Sequence, residues 1–213
     1  MDEPLSALDT RRKDDILPYI QRLPTAHKIP VIYVSHAMGE VAQLADDIIV
    51  MDQGRVTHSG PINAVLSDPS AVHGMGLREA GSVIGGSIIA QHADGLSEVS
   101  LSHGSLLVPR IAAPIGTRVR VRIRAQDIIL ATAHPVDISA LNVLPVTIRT
   151  IRTGTGPGAV VQMTLGEDAI LARITKRSLE ALQLKTGQAC FAILKTVAIA
   201  QSDVGPRGAQ AEK

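Results

Sequence analysis

Apolar and polar positions along the 213-residue chain change their period near residue 80, and the change divides the chain in two. Before it, apolar residues recur at helical spacing or stand in short β-branched runs. Ile16, Leu17, Ile20 and Leu23 share one face of a helix predicted from Asp9 to Leu23, capped by Asp9 or Thr10 and distorted locally at Pro18. Val31-Ile32-Tyr33-Val34-Ser35 reads as a strand buried on both faces, with His36 just past its end. A helix follows over Met38 to Leu44, then a second strand, Ile48-Ile49-Val50-Met51. Asp52-Gln53-Gly54-Arg55 is a tight turn into a hairpin arm over residues 55–60, and Pro61 opens a short helix ending at Leu66. This order predicts an α/β unit, parallel strands with helical crossovers, whose ligands gather at the carboxyl ends of the strands.

Beyond residue 80 the period is two. Strands are predicted over 82–90, 96–101 and 106–109, and again over 118–124, 143–153, 159–165, 169–174 and 189–199. Thr175 caps a short helix over 176–182. In the run from Arg118 to Arg124 the four arginines share one face. That face is either an anion-attracting strip or the solvated side of a half-buried strand. Several short strands around one short helix predict an all-β barrel of the oligonucleotide/oligosaccharide-binding (OB) type. The expected division is residues 1–80 with an exit linker from Ser67, a β-rich accessory segment 81–136, a barrel domain 137–200 and a disordered tail 201–213.

Composition narrows the chemistry. Apolar residues make up 45%, enough for a sizeable core, and no run approaches a membrane span. The acidic start is unlike a signal peptide. The lone Cys190 excludes an internal disulfide and sits in an apolar run as a core residue. Residues 1–80 hold 7 basic and 11 acidic side chains, residues 81–213 hold 14 and 9, so the second unit is the better host for an anion. With one Phe, two Tyr and no Trp, the chain lacks the stacking platforms of nucleic-acid binders, and no nucleic-acid partner is expected. Histidines other than His36 show no metal-ligand spacing.

The pair Asp2-Glu3 and His36, 33 residues beyond Glu3, fall at strand ends of the first unit and can converge. An acidic pair there can hold Mg²⁺ and polarise a water. The stretches Asp-Glu-Pro-Leu-Ser-Ala-Leu-Asp (2–9), Val-Ser-His (34–36) and Ala-Asp-Asp-Ile-Ile-Val-Met-Asp-Gln-Gly-Arg (45–55) closely resemble the ATPase subunits of importer-type ABC transporters. The resemblance implies ATP and Mg²⁺ as cofactors, with Asp2 as the Walker B aspartate that orients Mg²⁺. It makes Glu3 the general base, Asp9 the D-loop aspartate and His36 the switch histidine at the γ-phosphate. It covers residues 1–68, the later portion of such a domain, and places the Walker A loop and signature motif ahead of Met1. Gly85-Gly86-Ser87 and the glycine loop 154–158 do not substitute, because no Gly-Lys-Ser/Thr follows either.

Ser139-Ala140-Leu141-Asn142, the segment 172–179, the turn 184–187 and Ile193-Leu194-Lys195-Thr196-Val197 resemble the molybdate-binding Mop module, a TOBE-like domain. By that resemblance Ser139, Ala140, Lys195 and Thr196 contact an oxyanion, and Leu141 replaces an arginine common in the family. Hydroxyls, backbone N–H groups and a lysine suit a compact tetrahedral dianion, and one lysine leaves charge over, so a site shared between two modules makes sense. Lys195 and Thr196 read equally well as a solvated strand edge, and Ser139 as a turn former. Together the two resemblances imply the ATP-binding subunit of a molybdate importer, a homodimer on a membrane permease at the cytoplasmic face of the inner membrane, with molybdate or tungstate regulating through the rear domain. The alternatives are a stand-alone molybdate- or tungstate-binding protein retaining an ATPase relic, and an importer ATPase for sulfate, a polyamine or a sugar.

Phosphoryl transfer is catalysed by positioning and charge stabilisation, and without a phosphate cradle Glu3 has no γ-phosphate placed for attack. The chain alone is therefore expected to release phosphate from ATP no faster than its Glu3→Gln variant. A rate clearly above that control refutes the expectation.

Overall fold

The computed structural model describes residues 1–27, 29–71, 79–200 and 203–206. Among the described residues the front portion holds three helices, α1 (Thr10–His27), α2 (Met38–Leu44) and α3 (Ile62–Leu66), and the hairpin β1 (Asp47–Asp52)–β2 (Arg55–Pro61). Asp9 starts α1 by accepting the Arg12 N–H at 3.1 Å. The helix then runs through both Pro18 and Pro24, past its predicted end. Gln53 and Gly54, with φ of 48° and 76°, make the left-handed turn that matches the twist of the hairpin.

The expected parallel sheet is not formed among the described residues. Asp2 and Val34 make an isolated parallel bridge, with Glu3 N–H donating to Val34 O and Val34 N–H to Met1 O, each at 2.9 Å. Residues 31–33 and 35 are not in a strand, and Ile32 stays 80% exposed. A parallel strand buried on both faces needs neighbours on both edges and helices on both faces. Residues 31–35 have residues 1–3 on one edge, while β1 pairs antiparallel with β2.

Among the described residues the rear portion is β-structure with one short α-helix and two 3-10 turns. It comprises β3 (Gly81–Gln91), β4 (Leu96–Ser100), β5 (Ser105–Pro109), β6 (Arg118–Arg124), β7 (Ile129–Ala131), β8 (Asn142–Thr153), β9 (Gly158–Leu165), β10 (Asp168–Thr175), α4 (Lys176–Ala181), β11 (Ala189–Leu194) and β12 (Val204–Pro206). Two five-stranded sheets result, ordered β12-β6-β3-β4-β5 and β10-β9-β8-β11-β7. Thr175 caps α4 as predicted, accepting the Ser178 N–H at 3.0 Å. The last long strand stops at Leu194, opposite the first residue of β8, and a 3-10 turn over Thr196–Ala198 replaces the predicted continuation.

The segments 81–136 and 137–200 are interleaved. β7, from the first, forms the edge beside β11 of the second. One apolar core runs through both sheets, from Ile84, Val99 and Val121 to Val161, Met163 and Ile170. The tail expectation needs correcting over 203–206. There β12 pairs with β6, Val204 opposite Val121, and Asp203 accepts from Arg122 at 3.3 Å and Arg124 at 3.2 Å. Those ion pairs order a stretch whose polarity alone read as disorder. Residues 201–202 and 207–213 of the expected tail, and 72–78 of the expected linker, lie outside the described residues.

Both readings of the arginine strip also fail for its two central members, while Arg118 stays exposed. The front portion covers that face of β6, and Arg120 and Arg122 are buried against it. Arg120 donates to Ala45 O at 2.6 Å and pairs with Asp46, and Arg122 reaches Glu79 at 2.8 Å. Beside this polar seam, Met38, Val41 and Ala42 of α2 and Ile62 and Leu66 of α3 pack on Val83 of β3. Among the described residues no helix is long and apolar enough to cross a membrane.

Adjacent glycines in β3 differ in what surrounds them. A Cβ on Gly86 would lie 2.4 Å from Ser100 O and 2.5 Å from Val99 Cγ1, whereas one on Gly85 meets nothing within 4 Å. Gly86→Ala is therefore expected to lower stability by about 1–3 kcal/mol, through forced backbone movement. Gly85→Ala is expected to hold or raise it, since alanine costs less chain entropy in a strand. Paired denaturant titrations check the contrast.

Candidate functional site

The bridge between residues 2 and 34 brings Glu3 to His36. Glu3 adopts a left-handed φ of 43°. Its Oε1 accepts the His36 backbone N–H at 3.0 Å and lies 2.6 Å from the ring Nδ1. With Nδ1–H donating to Glu3, a neutral ring presents Nε2 as an acceptor and a protonated ring presents it as a donor. The imidazole is largely exposed, so it can meet a group arriving from solvent. Asp2 is exposed next to the pair. Mg²⁺ binds through one or two carboxylates plus substrate phosphates and water, so Asp2 fits such an ion if phosphates complete the shell. Among the described residues no group of three or more His, Cys, Asp or Glu is placed to hold a metal by itself. Asp9 does not join this cluster and instead caps α1.

Glu40 was missed by sequence reasoning. Its carboxylate is buried and accepts from Lys13 Nζ at 2.8 Å, Tyr33 OH at 2.7 Å and Ser35 Oγ at 3.1 Å. Ser35 Oγ in turn accepts the Ala37 N–H at 3.1 Å. The residues just before His36 are thus tied, through Tyr33 and Ser35, to a residue four positions after it, on the first turn of α2. Burial opposes ionisation of Glu40, but the hydrogen bonds from Lys13, Tyr33 and Ser35 and the Lys13 charge outweigh it and hold the carboxyl below its ordinary range. Burial, then the Glu40 contact, push the Tyr33 phenol well above its ordinary value. The available signal was a glutamate on the otherwise apolar face of α2, beside Met38, Val41 and Ala42.

In the rear portion, the β8–β11 register sets Asn142 opposite Leu194. Residues 139–141 enter β8 and residues 195–196 leave β11, so both loops lie at one end of the antiparallel pair. Ser139 and Lys195 are exposed, Ala140 is half-buried and Thr196 is buried. Asn142 fixes this end. Its Oδ1 accepts Leu107 N–H at 2.8 Å, and its Nδ2 donates to Leu107 O at 2.9 Å and Thr196 Oγ1 at 3.2 Å. The Thr196 hydroxyl keeps its own proton to donate. Lys195 is the one cation of the two loops, flanked by exposed Ile138, Leu141 and Val197. Two surface clefts lie elsewhere, one of about 550 Å³ beside Lys185 to Gln188 and one of about 460 Å³ between α3 and the turn before β10.

Residues 138–201 match the TOBE domain family. The chain is 43% identical over 206 residues to the molybdenum import ATP-binding protein ModC of Mesorhizobium japonicum, covering 96% of this chain and 56% of that protein. It is 45% identical over 201 residues to ModC of Rhizobium meliloti, covering 93% and 56%. The chain thus spans a little over half the length of these curated relatives. A solved structure of the cytoplasmic molybdate-binding protein ModG with molybdate bound is similar at 25% identity and a TM-score of 0.49, covering 58% of this chain and 92% of that one.

A carboxyl held low in the folded state adds stability that is present above its unfolded pKa and lost as pH falls through the folded one. Glu40 is such a group. Thermal melts from neutral to acid pH are expected to fall steeply below the usual carboxylate range for the natural chain. Glu40→Gln is expected to start lower and fall less steeply, and parallel slopes exclude the assignment.

Proposed function

From its homology to molybdenum import ATP-binding proteins and its TOBE domain, we propose that the chain belongs to the ATP-binding subunit that energises molybdate import. The observation that carries this reading is that one alignment of 206 residues takes in 96% of the chain, front portion and rear domain together. In this role Glu3 draws the proton from the attacking water, and His36 contacts the γ-phosphate. Asp2 holds Mg²⁺, which when bound neutralises phosphate charge, and Asp9 reaches an opposing subunit. The closeness of Glu3 to His36 supports placing base and switch at one point, 2.6 Å apart.

The rear domain is the oxyanion receptor. Ser139 and Thr196 hydroxyls, the Ala140 backbone N–H and the Lys195 ammonium meet the oxygens of molybdate or tungstate. A single lysine and an exposed, apolar rim favour a site completed by a second copy, consistent with a homodimer. The working assembly is that dimer seated on a membrane permease at the cytoplasmic face of the inner membrane, with no nucleic acid involved. Anion occupancy regulates transport, provided it binds one state of the ATPase better than the other.

Calorimetry of the chain with sodium molybdate tests the receptor. Binding heat is expected for molybdate and tungstate, less for sulfate, and none for Lys195→Ala with molybdate. Absence of heat and of a thermal shift at millimolar molybdate overturns the receptor reading.

A further inference from the structure

The two central arginines of the β6 strip form neither a solvated face nor an anion site, and one of them touches the helix that carries the switch loop. We propose that Arg120 is a positioning residue for His36, acting through α2. α2 begins two residues after His36 and has only seven residues. A helix that short does not hold its conformation unaided, so its contacts set its direction. At its start, Glu40 ties it to Tyr33, Ser35 and Lys13. Along its side, Met38, Val41 and Ala42 pack on α3 and on Val83. At its end, the carbonyl of the capping residue Ala45 lacks an intrahelical donor. Arg120 Nη1 supplies one at 2.6 Å, and Nη2 pairs with the carboxylate of Asp46.

Three features fit Arg120 to that task. It is 9% exposed and anchored in β6 between β3 and β12, so its head is aimed by the sheet and not by a mobile stem. It stands opposite Gly85, where the space is open enough that even an added Cβ would meet nothing within 4 Å. Its planar fork reaches a carbonyl and a carboxylate with two separate nitrogens, where a lysine would have to serve both from one ammonium, and its charge lies favourably at a helix C-terminus. The rear sheet thereby sets the tilt of α2, and α2 sets where His36 stands against Glu3. That His36 is the γ-phosphate contact rests on the importer reading above, whereas the mechanical claim does not.

The test is amide hydrogen exchange and His36 ring NMR on the full chain, with the ring signal assigned by His36→Gln. Arg120→Ala is expected to speed exchange of the amides from Tyr33 to Leu44 by about 10-fold or more, and to shift the His36 ring resonances, while β4 and β9 amides keep their rates. Arg120→Lys is expected to restore part of both effects. Asp46→Asn is expected to show the smallest change, since the Ala45 contact survives. The proposal is overturned if the α2 amides and His36 ring are unchanged in Arg120→Ala, or if exchange accelerates equally in β4 and β9. Should Arg120→Ala fail to fold, Arg120→Lys and Asp46→Asn decide, and natural-like exchange in both overturns it. Neither readout uses nucleotide or anion, so failure here leaves the importer reading standing, and absent molybdate binding leaves this one standing.

Discussion

Mutual burial of two sheet faces is the constraint on which the rest of the molecule depends. Val99, Leu106, Val119 and Val121 from one sheet, and Val161, Met163, Leu165 and Ile170 from the other, are all essentially inaccessible to water. Each such side chain contributes about 1.5–3 kcal/mol of transfer free energy, and the core uses aliphatic groups because the chain has a single Phe and no Trp. Close packing fixes registers. At the hairpin tips, Ser102 Oγ donates to Asp168 Oδ2 at 2.6 Å and accepts the Glu167 N–H at 3.2 Å. Gly166 stands there at φ 59°, where a Cβ would meet Ser102 Oγ at 2.8 Å. The same fixed ladders put Asn142 opposite Leu194 and so bring Ser139 and Lys195 to one end of the sheet.

The outer face of the β6 sheet obeys a different rule. Covering arginines with helices and a tail strand removes them from water, and buried charge is tolerable only when paired. Arg122 lies between Glu79 and Asp203, Arg124 between Asp127 and Asp203, and Arg120 against Ala45 and Asp46. Where cover outweighs pairing the carboxyl responds, and burial pushes Asp127 above its ordinary value despite Arg124 nearby. Front helices, sheet and tail are therefore joined by charge pairs as well as by the small apolar cluster around Val83.

Local signals were legible where local physics decides the outcome. The Gln53-Gly54 turn, α2, β6 and the Thr175 cap follow from left-handed tolerance, helical spacing, alternation and a side-chain acceptor. Residues 31–35 were misread because being a strand is a property of neighbours, and β-branched composition states only a preference. Alternation in 118–124 told which arginines share a face but not what covers it. The site divides the same way. Motif spacing pointed to Glu3 and His36, whereas Glu40 and Asn142 declare themselves only when three donors converge on one carboxylate and one amide bridges Leu107 and Thr196.

The two candidate sites are joined by an unbroken series of contacts. Asn142 holds the β5 backbone at Leu107, β5 pairs with β4, β4 with β3 and β3 with β6. From β6, Arg120 reaches Ala45 at the end of the helix that follows His36. Contiguity alone transmits nothing, because a rigid ladder has one arrangement and coupling needs an element with two. The two sheets, locked by a shared core, are poor candidates for that element. α2 is the better one. It is a single short helix whose direction is set by a carboxylate at one end, a guanidinium at the other and three apolar side chains between. If Arg120 positions α2 as proposed, a displacement at Arg120 moves the helix as a unit, and the loop that carries His36 moves with its start.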